Sequence, residues 1–425
     1  MSSFDSATIA LRRDRAAGAL GDDAPLVLIG AGTPIPKPGG LDQTYPFLAH
    51  PEYYWLTGSR RSGGVLAFEP AVGWTHFVRP ADAVERLWEG DPGAVEGVDV
   101  ARFDEWLMAR GDRPIAMLGS PTPNIAGDEA LSAAMRERLD AARRVKDDAE
   151  IDLVERAIRA TAAGYERAQE VIRPGITERA IQIEIEAEFL RRGADGLGYG
   201  SIVGAGPRAA ILHSTPGQTI VGRDDVVLID AAGEVGGYTA DVTRTFAASG
   251  KFTPEQQAIY DLVLAAELAA IAKCREGIEW HDVHRTAAAK LAAGLYDLGI
   301  LKVAVDEALD TEAIALFFPH GIGHMVGLGV RDVGGRVSGR EEGRMCCGAK
   351  VRVDLPLQVN FLMTVEPGLY FVPALLDDPE RREKFKGAFA WDELDRWRKV
   401  GGVRIEDNVL ITTGEPQVLT AQIAK

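Results

Sequence analysis

Apolar positions along the chain follow two rhythms. Short apolar runs at 25–30 (PLVLIG), 65–68, 75–78 and 226–229 read as buried strands, as does the aromatic stretch 52–58, EYYWLTG. Residues 83–88 and 101–108 read as helices. Further on, Ile151, Val154, Ile158, Thr161, Tyr165, Ala168 and Ile172 recur at helical spacing, predicting an amphipathic helix of about six turns. Pro174-Gly175 ends it, Thr177 caps a second helix carrying Ile181, Ile185 and Phe189, and Gly193 stops that one. The order then repeats. Residues 260–273 are helical, Arg275-Glu276-Gly277-Ile278 breaks the pattern, and 281–295 are helical again. That break lies 102 residues after Arg173-Pro174-Gly175-Ile176, and each helix pair precedes Gly-rich strands. This is the mark of an internal duplication. It predicts a pseudo-symmetric α+β domain over 146–425, preceded by an α/β domain over 1–145, with the charged helix 131–144 leading across the boundary.

The stretch 225–246, DVVLIDAAGEVGGYTADVTRTF, centres the chemistry. Gly236-Gly237 marks a two-residue hairpin turn. Counting outward, Val235 faces Tyr238, Ala232 faces Asp241 and Asp230 faces Thr243, so Asp230 and Asp241 share a face as diagonal neighbours. Two like charges there repel unless a cation lies between them. Two solvated aspartates are the alternative, and the hairpin alone does not choose.

Other segments add candidates. His320 and His324 lie in PHGIGH, where Gly321 and Gly323 argue for an extended segment with both rings on one face. Glu366 ends a strand at Pro367, and Arg404 and Glu406 alternate with Val403 and Ile405. Each alone reads as an ordinary solvated or packed residue. As a set, Asp230, Asp241, His324, Glu366 and Glu406 offer four carboxylates and an imidazole, which suit a pair of Mn, Co, Fe or Zn ions better than a thiolate zinc site. Such a centre generates hydroxide at neutral pH and polarises a carbonyl, so amide hydrolysis is the expected reaction class.

Charge and cysteine content narrow the rest. Lys plus Arg number 47 and Asp plus Glu 63, a net charge of −16, which gives no support for a nucleic-acid or anionic-membrane partner. No apolar run suffices to span a membrane, the N-terminal stretch lacks a leader's apolar region, and the three cysteines include an adjacent pair, Cys346-Cys347. The expected compartment is the cytoplasm.

IDAAGEVGGYTADVTRTF, PHGIGHMVGLGVRDVGG, MTVEPGLYF and GGVRIEDNVLIT, in that order, resemble the pita-bread metallopeptidases, and within them the prolidases, or Xaa-Pro dipeptidases. YYWLTG is similar to the creatinase-like N-terminal domain of that family, and ARRVKDDAEI to the start of its catalytic domain. The resemblance implies a homodimer with two divalent ions per chain, usually manganese, held by Asp230, Asp241, His324, Glu366 and Glu406. It implies that Glu366 shuttles a proton and that His320 lines the substrate site. Tyr199, Ile202 and His213 match pocket residues, and Arg404 matches an arginine that pairs with the metal-site carboxylates. Arg352 falls where prolidases bind the carboxylate of the C-terminal proline, and the insert 371–399 is also prolidase-like. The first domain, whose only histidines are His50 and His76, is expected to supply no ligand.

Two positions depart from the pattern. Arg331-Asp332 stands where the family has His-Asp; arginine donates hydrogen bonds but performs no acid–base step near neutral pH. Residues 358–361, QVNF, replace the usual Pro-Gly turn. The leading expectation is hydrolysis of the Xaa-Pro bond in dipeptides. The alternatives are aminopeptidase P-type cleavage of longer peptides and a catalytically impaired relative acting as a binding protein.

Overall fold

The computed structural model describes residues 4–40, 42–93 and 95–425, and the chain divides between Arg143 and Arg144 into two compact units. The first three residues of the N-terminal stretch lie outside this description. Among the described residues no helix is long and apolar enough to cross a membrane.

The first unit is built on a five-stranded sheet. Leu26–Gly30, Val65–Glu69 and Gly73–Val78 pair antiparallel, with Ile115–Gly119 and Val98–Asp99 added in parallel at the two edges. The expected helices appear as Ala83–Glu89 and Phe103–Met108. The expected strand at 52–58 does not: Pro51–Thr57 is a helix. Pro51 begins it, His50 Nδ1 accepts the Glu52 N–H at 3.3 Å, and Gly58 closes it at φ 63° with its N–H on Tyr54 O. Tyr53, Tyr54, Trp55 and Leu56 are all buried. A helix enclosed on every side shows no polar stripe, so the aromatic run imitates a strand.

In the second unit, helices Asp148–Val171 and Glu178–Arg191 form one pair, and Pro254–Lys273 and Trp280–Asp297 another. Asp147 with Glu150, and Thr253 with Gln256, are capping boxes; Thr177 accepts the Ala180 N–H as expected. The duplication extends to single hydrogen bonds. Gly175 donates to Val221 O at 2.9 Å and Gly277 to Leu357 O at 2.8 Å. Glu178 donates to Thr219 O and Trp280 to Leu355 O, both at 3.1 Å, and Val221 and Leu357 return bonds to Ile176 and Ile278. Each half thus closes its helix pair against a returning strand in the same way.

Strands Ile202–Ala205, Val226–Asp230 and Thr243–Ala247 form one sheet, with Asp230 opposite Thr243 as the hairpin count requires. Val235 faces Tyr238, and the turn glycines have φ 65° and 85°. Leu362–Val365 pairs with Asp407–Leu410, and Gly368–Tyr370 with Gly402–Arg404. Glu366 and Glu406 therefore both sit in the breaks between consecutive strands. The QVNF segment still turns: Phe361 donates to Gln358 O at 3.0 Å, with Asn360 at φ 65°.

The histidine segment joins the same sheet. Thr364 donates to His324 O and Glu366 to Ile322 O, both at 2.8 Å. A Cβ at Gly323 would strike Thr364 O. Gly323→Ala is expected to destabilise the protein by about 1–3 kcal/mol through overpacking, read as a lowered denaturation midpoint; an unchanged midpoint would show that the segments can separate freely.

Candidate metal centre

Asp230, the last residue of its strand, and Asp241, just past the hairpin's returning arm, are 8% and 4% exposed. Glu406 is tied to this hairpin through a bridge to Thr243. One carboxylate oxygen from each of Asp230, Asp241 and Glu406 lies within 4.8 Å of the others. His324 Nε2 is 3.4 Å from Asp241 Oδ2 and 3.8 Å from Glu366 Oε1. The five expected ligands form one cluster.

Their surroundings orient them. Arg404, 3% exposed, donates from Nη2 to Asp230 Oδ2 at 2.7 Å, from Nε to Thr243 Oγ1 at 3.0 Å and from Nη1 to the Tyr370 hydroxyl at 3.0 Å. Thr243 in turn donates its hydroxyl hydrogen bond to Glu406 Oε2 at 2.7 Å. Tyr199 donates to Asp230 Oδ1 at 2.7 Å. Asn408 grips the Asp241 backbone, accepting its N–H at 3.0 Å and donating to its carbonyl at 2.6 Å. The His324 ring donates from Nδ1 to Met325 O at 3.0 Å, which turns the Nε2 lone pair toward the carboxylates.

The electrostatics favour a cation. Burial, followed by repulsion from Asp230 and Glu366, raises Asp241 well above the usual carboxylate range. Glu406 is raised likewise, by burial and then by Asp241, Glu366 and Asp230. Burial lifts Glu366 to about 7 against the pull of Arg404. Burial also lowers His324 to about 4 and His320 to about 3, so both rings are neutral at pH 7. An oxygen-rich donor set with one free imidazole lone pair, in which the Arg404 guanidinium bonds Asp230 but not Asp241, Glu366 or Glu406, fits divalent metal.

Residues 152–413 match the model of metallopeptidase family M24, and residues 9–105 match the aminopeptidase P N-terminal domain. The chain belongs to metallopeptidase family M24. Its relatives include a protein named probable Xaa-Pro aminopeptidase PEPP from Podospora anserina, 33% identical over 395 residues, covering 87% of this chain and 84% of the relative. A Pyricularia oryzae protein of the same name is 34% identical over 392 residues, with 87% and 84% covered. Among solved structures, Pseudomonas aeruginosa aminopeptidase PepP superposes with a TM-score of 0.81 at 28% identity, over 100% of this chain and 97% of that one. These are M24 neighbours with the pita-bread architecture.

The expected substrate residues of this M24 chain divide. His320 is at the centre: Nδ1 donates to Gly321 O at 2.9 Å, and Nε2 accepts from the Tyr370 hydroxyl at 2.8 Å. Ile202 is buried and pairs with Asp230. Tyr199 spends its hydroxyl on Asp230. His213 is exposed and takes no part in the carboxylate network. Arg331 and Arg352 are exposed, yet close enough for both to draw Glu366 downward. Arg352 is open to solvent as a whole residue, yet the atoms around its guanidinium partly desolvate it and lower it, and the Arg331 charge lowers it further, while Glu366, Glu406 and Asp241 oppose both. Tyr370, Thr243 and Asn408 belong to the site although sequence reasoning did not single them out. The hairpin count places Thr243 on the aspartate face, and Asn408 comes directly after Glu406-Asp407; nothing local marks Tyr370.

A buried carboxyl whose folded value lies above its unfolded value holds more protons folded than unfolded, so stability falls as pH rises. For Glu366 that window runs from the ordinary carboxylate range to about 7, and for Asp241 and Glu406 it extends upward. Neutral His320 and His324 add stability with rising pH only up to the ordinary imidazole range, so above it chelator-treated protein should melt ~5 °C lower at pH 9 than at pH 7, and added Mn(II) should restore the pH 9 value. A melting temperature that rises between these pH values without metal would contradict the site's electrostatics.

Proposed function

We propose that the chain hydrolyses the bond preceding proline at the N-terminus of short peptides, with two divalent ions, Mn(II) foremost, and with the Xaa-Pro dipeptide as preferred substrate. The convergence of Asp230, Asp241, His324, Glu366 and Glu406 carries this reading. When bound, the ions would supply an acidified water and a polarised scissile carbonyl.

The protein's own groups supply the rest. Glu366, 3.9 Å from His320 Nδ1 and 3.8 Å from His324 Nε2, would accept a proton from the attacking water and release it to the leaving proline nitrogen. Arg404, bound to Asp230 and Tyr370, orients the ligand set without contacting substrate. Neutral His320 has its Nδ1–H on Gly321 O and is steadied by Tyr370; it lines the substrate space. Arg352 and Arg331 present two guanidinium groups with no ion pair among the described residues, suited to a free carboxylate one residue beyond the scissile bond. Arg331 adds charge where a family histidine would exchange protons. On the same reading the chain is a cytoplasmic homodimer.

A second reading has a specific observation behind it. The relatives' names, Xaa-Pro aminopeptidase, favour cleavage of longer Xaa-Pro-Yaa peptides. The two readings differ only in whether a further residue extends beyond the proline. Mn-loaded protein assayed on Xaa-Pro, Xaa-Pro-Ala and Xaa-Pro-NH₂ distinguishes them. The dipeptide should lead, and Arg352→Ala should raise its KM by ~5-fold, as expected for losing one partner of an exposed charge pair. Equal turnover of the tripeptide would make the aminopeptidase reading the correct one.

The metal assignment has its own test. Asp241→Asn should lose bound metal, and kcat should fall on the order of 10²-fold or more. Metal content and turnover equal to the natural protein's would remove the five-ligand centre.

A further inference from the structure

Cys346 and Cys347 have no part in the chemistry above. Met345–Cys346 and Ala349–Lys350 form a small hairpin with Cys346 opposite Ala349, so Cys347 and Gly348 are its two turn residues. Both have positive φ, 51° and 83°, as this turn requires. Glycine is demanded at 348, where a Cβ would collide with the Cβ atoms of Ala315 and Glu312. Cysteine at 347 is the unusual choice, because side chains rarely adopt that backbone conformation. The left-handed residue breaks the strand's alternation and brings adjacent side chains together. The sulfurs lie 3.8 Å apart.

The two thiols differ. Cys346 directs its Sγ to His281 O at 3.7 Å, and its bond to Cys347 together with burial pushes it up. The contact with Cys346 and the facing Arg285 guanidinium hold Cys347 below the usual thiol range, against burial and Asp310. The sulfur beside Arg285 is the better placed nucleophile, with its neighbour 3.8 Å away to resolve it. Cys274 provides an internal contrast: it is fully buried, bonded to Ala270 O at 3.3 Å, and pushed up to about 12 by burial.

We propose that Cys346 and Cys347 form an oxidisable vicinal dithiol, a modification site for hydroperoxides separate from the metal centre. The Cys347 thiolate, its proton given up to solvent, attacks the terminal peroxide oxygen; the O–O bond breaks, the leaving hydroxide or alkoxide takes a proton back from solvent to depart as water or alcohol, and Cys347 becomes a sulfenic acid. The Cys346 sulfur then attacks the Cys347 sulfur, the S–O bond breaks, and the released hydroxide leaves as water with the Cys346 proton. In sum two thiols lose two electrons and two protons, and one hydroperoxide is reduced. Adjacent Cα atoms are ~3.8 Å apart, below the ~4.4–6.8 Å usual across a disulfide. The ring is therefore strained, and a dithiol reductant reopens it.

The experiment treats the full metal-loaded chain with a small excess of hydrogen peroxide, then alkylates it and maps the peptides. The peptide containing 346–347 should lose two hydrogens and regain them with dithiothreitol, while Cys274 stays a thiol. In Cys346→Ser, dimedone should trap Cys347 as its sulfenic acid. In Cys347→Ser, oxidation at Cys346 should slow by ~10-fold or more. The proposal is overturned if the pair is no more reactive than Cys274, if Cys347→Ser oxidises at the natural rate, or if the only disulfides link separate chains. Thermal melts of both serine variants establish that each is folded, and neither variant touches a residue of the metal centre.

Discussion

Like-charge repulsion in a buried place is the constraint on which the catalytic unit depends. Four carboxylates meet there, and three of them are less than a tenth exposed. Isolated, such a group would neutralise itself by taking a proton. Among the described residues one guanidinium, that of Arg404, hydrogen-bonds into the cluster, and it engages Asp230 alone among the carboxylates. Thr243 and Tyr199 add hydrogen bonds to Glu406 and Asp230. Those groups fix direction but leave most of the negative charge uncompensated, and it is this deficit that makes the arrangement a receptor for divalent cations.

Holding repelling groups in place needs a rigid frame, and the duplicated fold provides it. Each half packs a helix pair and closes it against a returning strand by the same hydrogen bonds. The first half contributes both aspartates from a single hairpin. The second contributes His324, Glu366 and Glu406 from segments far apart in sequence but hydrogen-bonded into one sheet system. Both glutamates occupy strand breaks, where a side chain can leave the pleat and turn toward a centre. Gly323 allows the histidine segment to approach Thr364 more closely than any other residue would.

The substrate rim is built differently. Arg331 and Arg352 are exposed, while the loop carrying Arg331 is anchored by its neighbour: buried Asp332 accepts from Lys146 Nζ at 2.6 Å and from Leu328 N at 3.1 Å. A fixed anchor beside an exposed cation lets the residue at 331 change without disturbing the fold. That separation accommodates an arginine at a position where the family resemblance leads one to expect a histidine. On the proposed reading, this chain's departure at 331 lies at the substrate rim and away from the five clustered ligand candidates.

Much of this architecture is encoded in short-range pattern. Helix spacing, the Gly-Gly turn and period-2 alternation depend on neighbours in sequence, so the helix pairs, the 102-residue repeat and the shared face of Asp230 and Asp241 are all legible there. Motif resemblance extends this to His324, Glu366 and Glu406. Other features required the folded chain. The 52–58 run became a helix because its caps and complete burial prevailed over aromatic strand preference, and burial on all sides leaves no periodicity to detect. The Tyr370 hydroxyl links His320 to Arg404 across strands, a contact that no local spacing encodes. Tyr199 proved to serve Asp230, since which polar partner a hydroxyl meets depends on packing. The 3.8 Å approach of Cys346 and Cys347 likewise arises from a left-handed turn residue, whereas strand alternation alone would have pointed the two sulfurs apart.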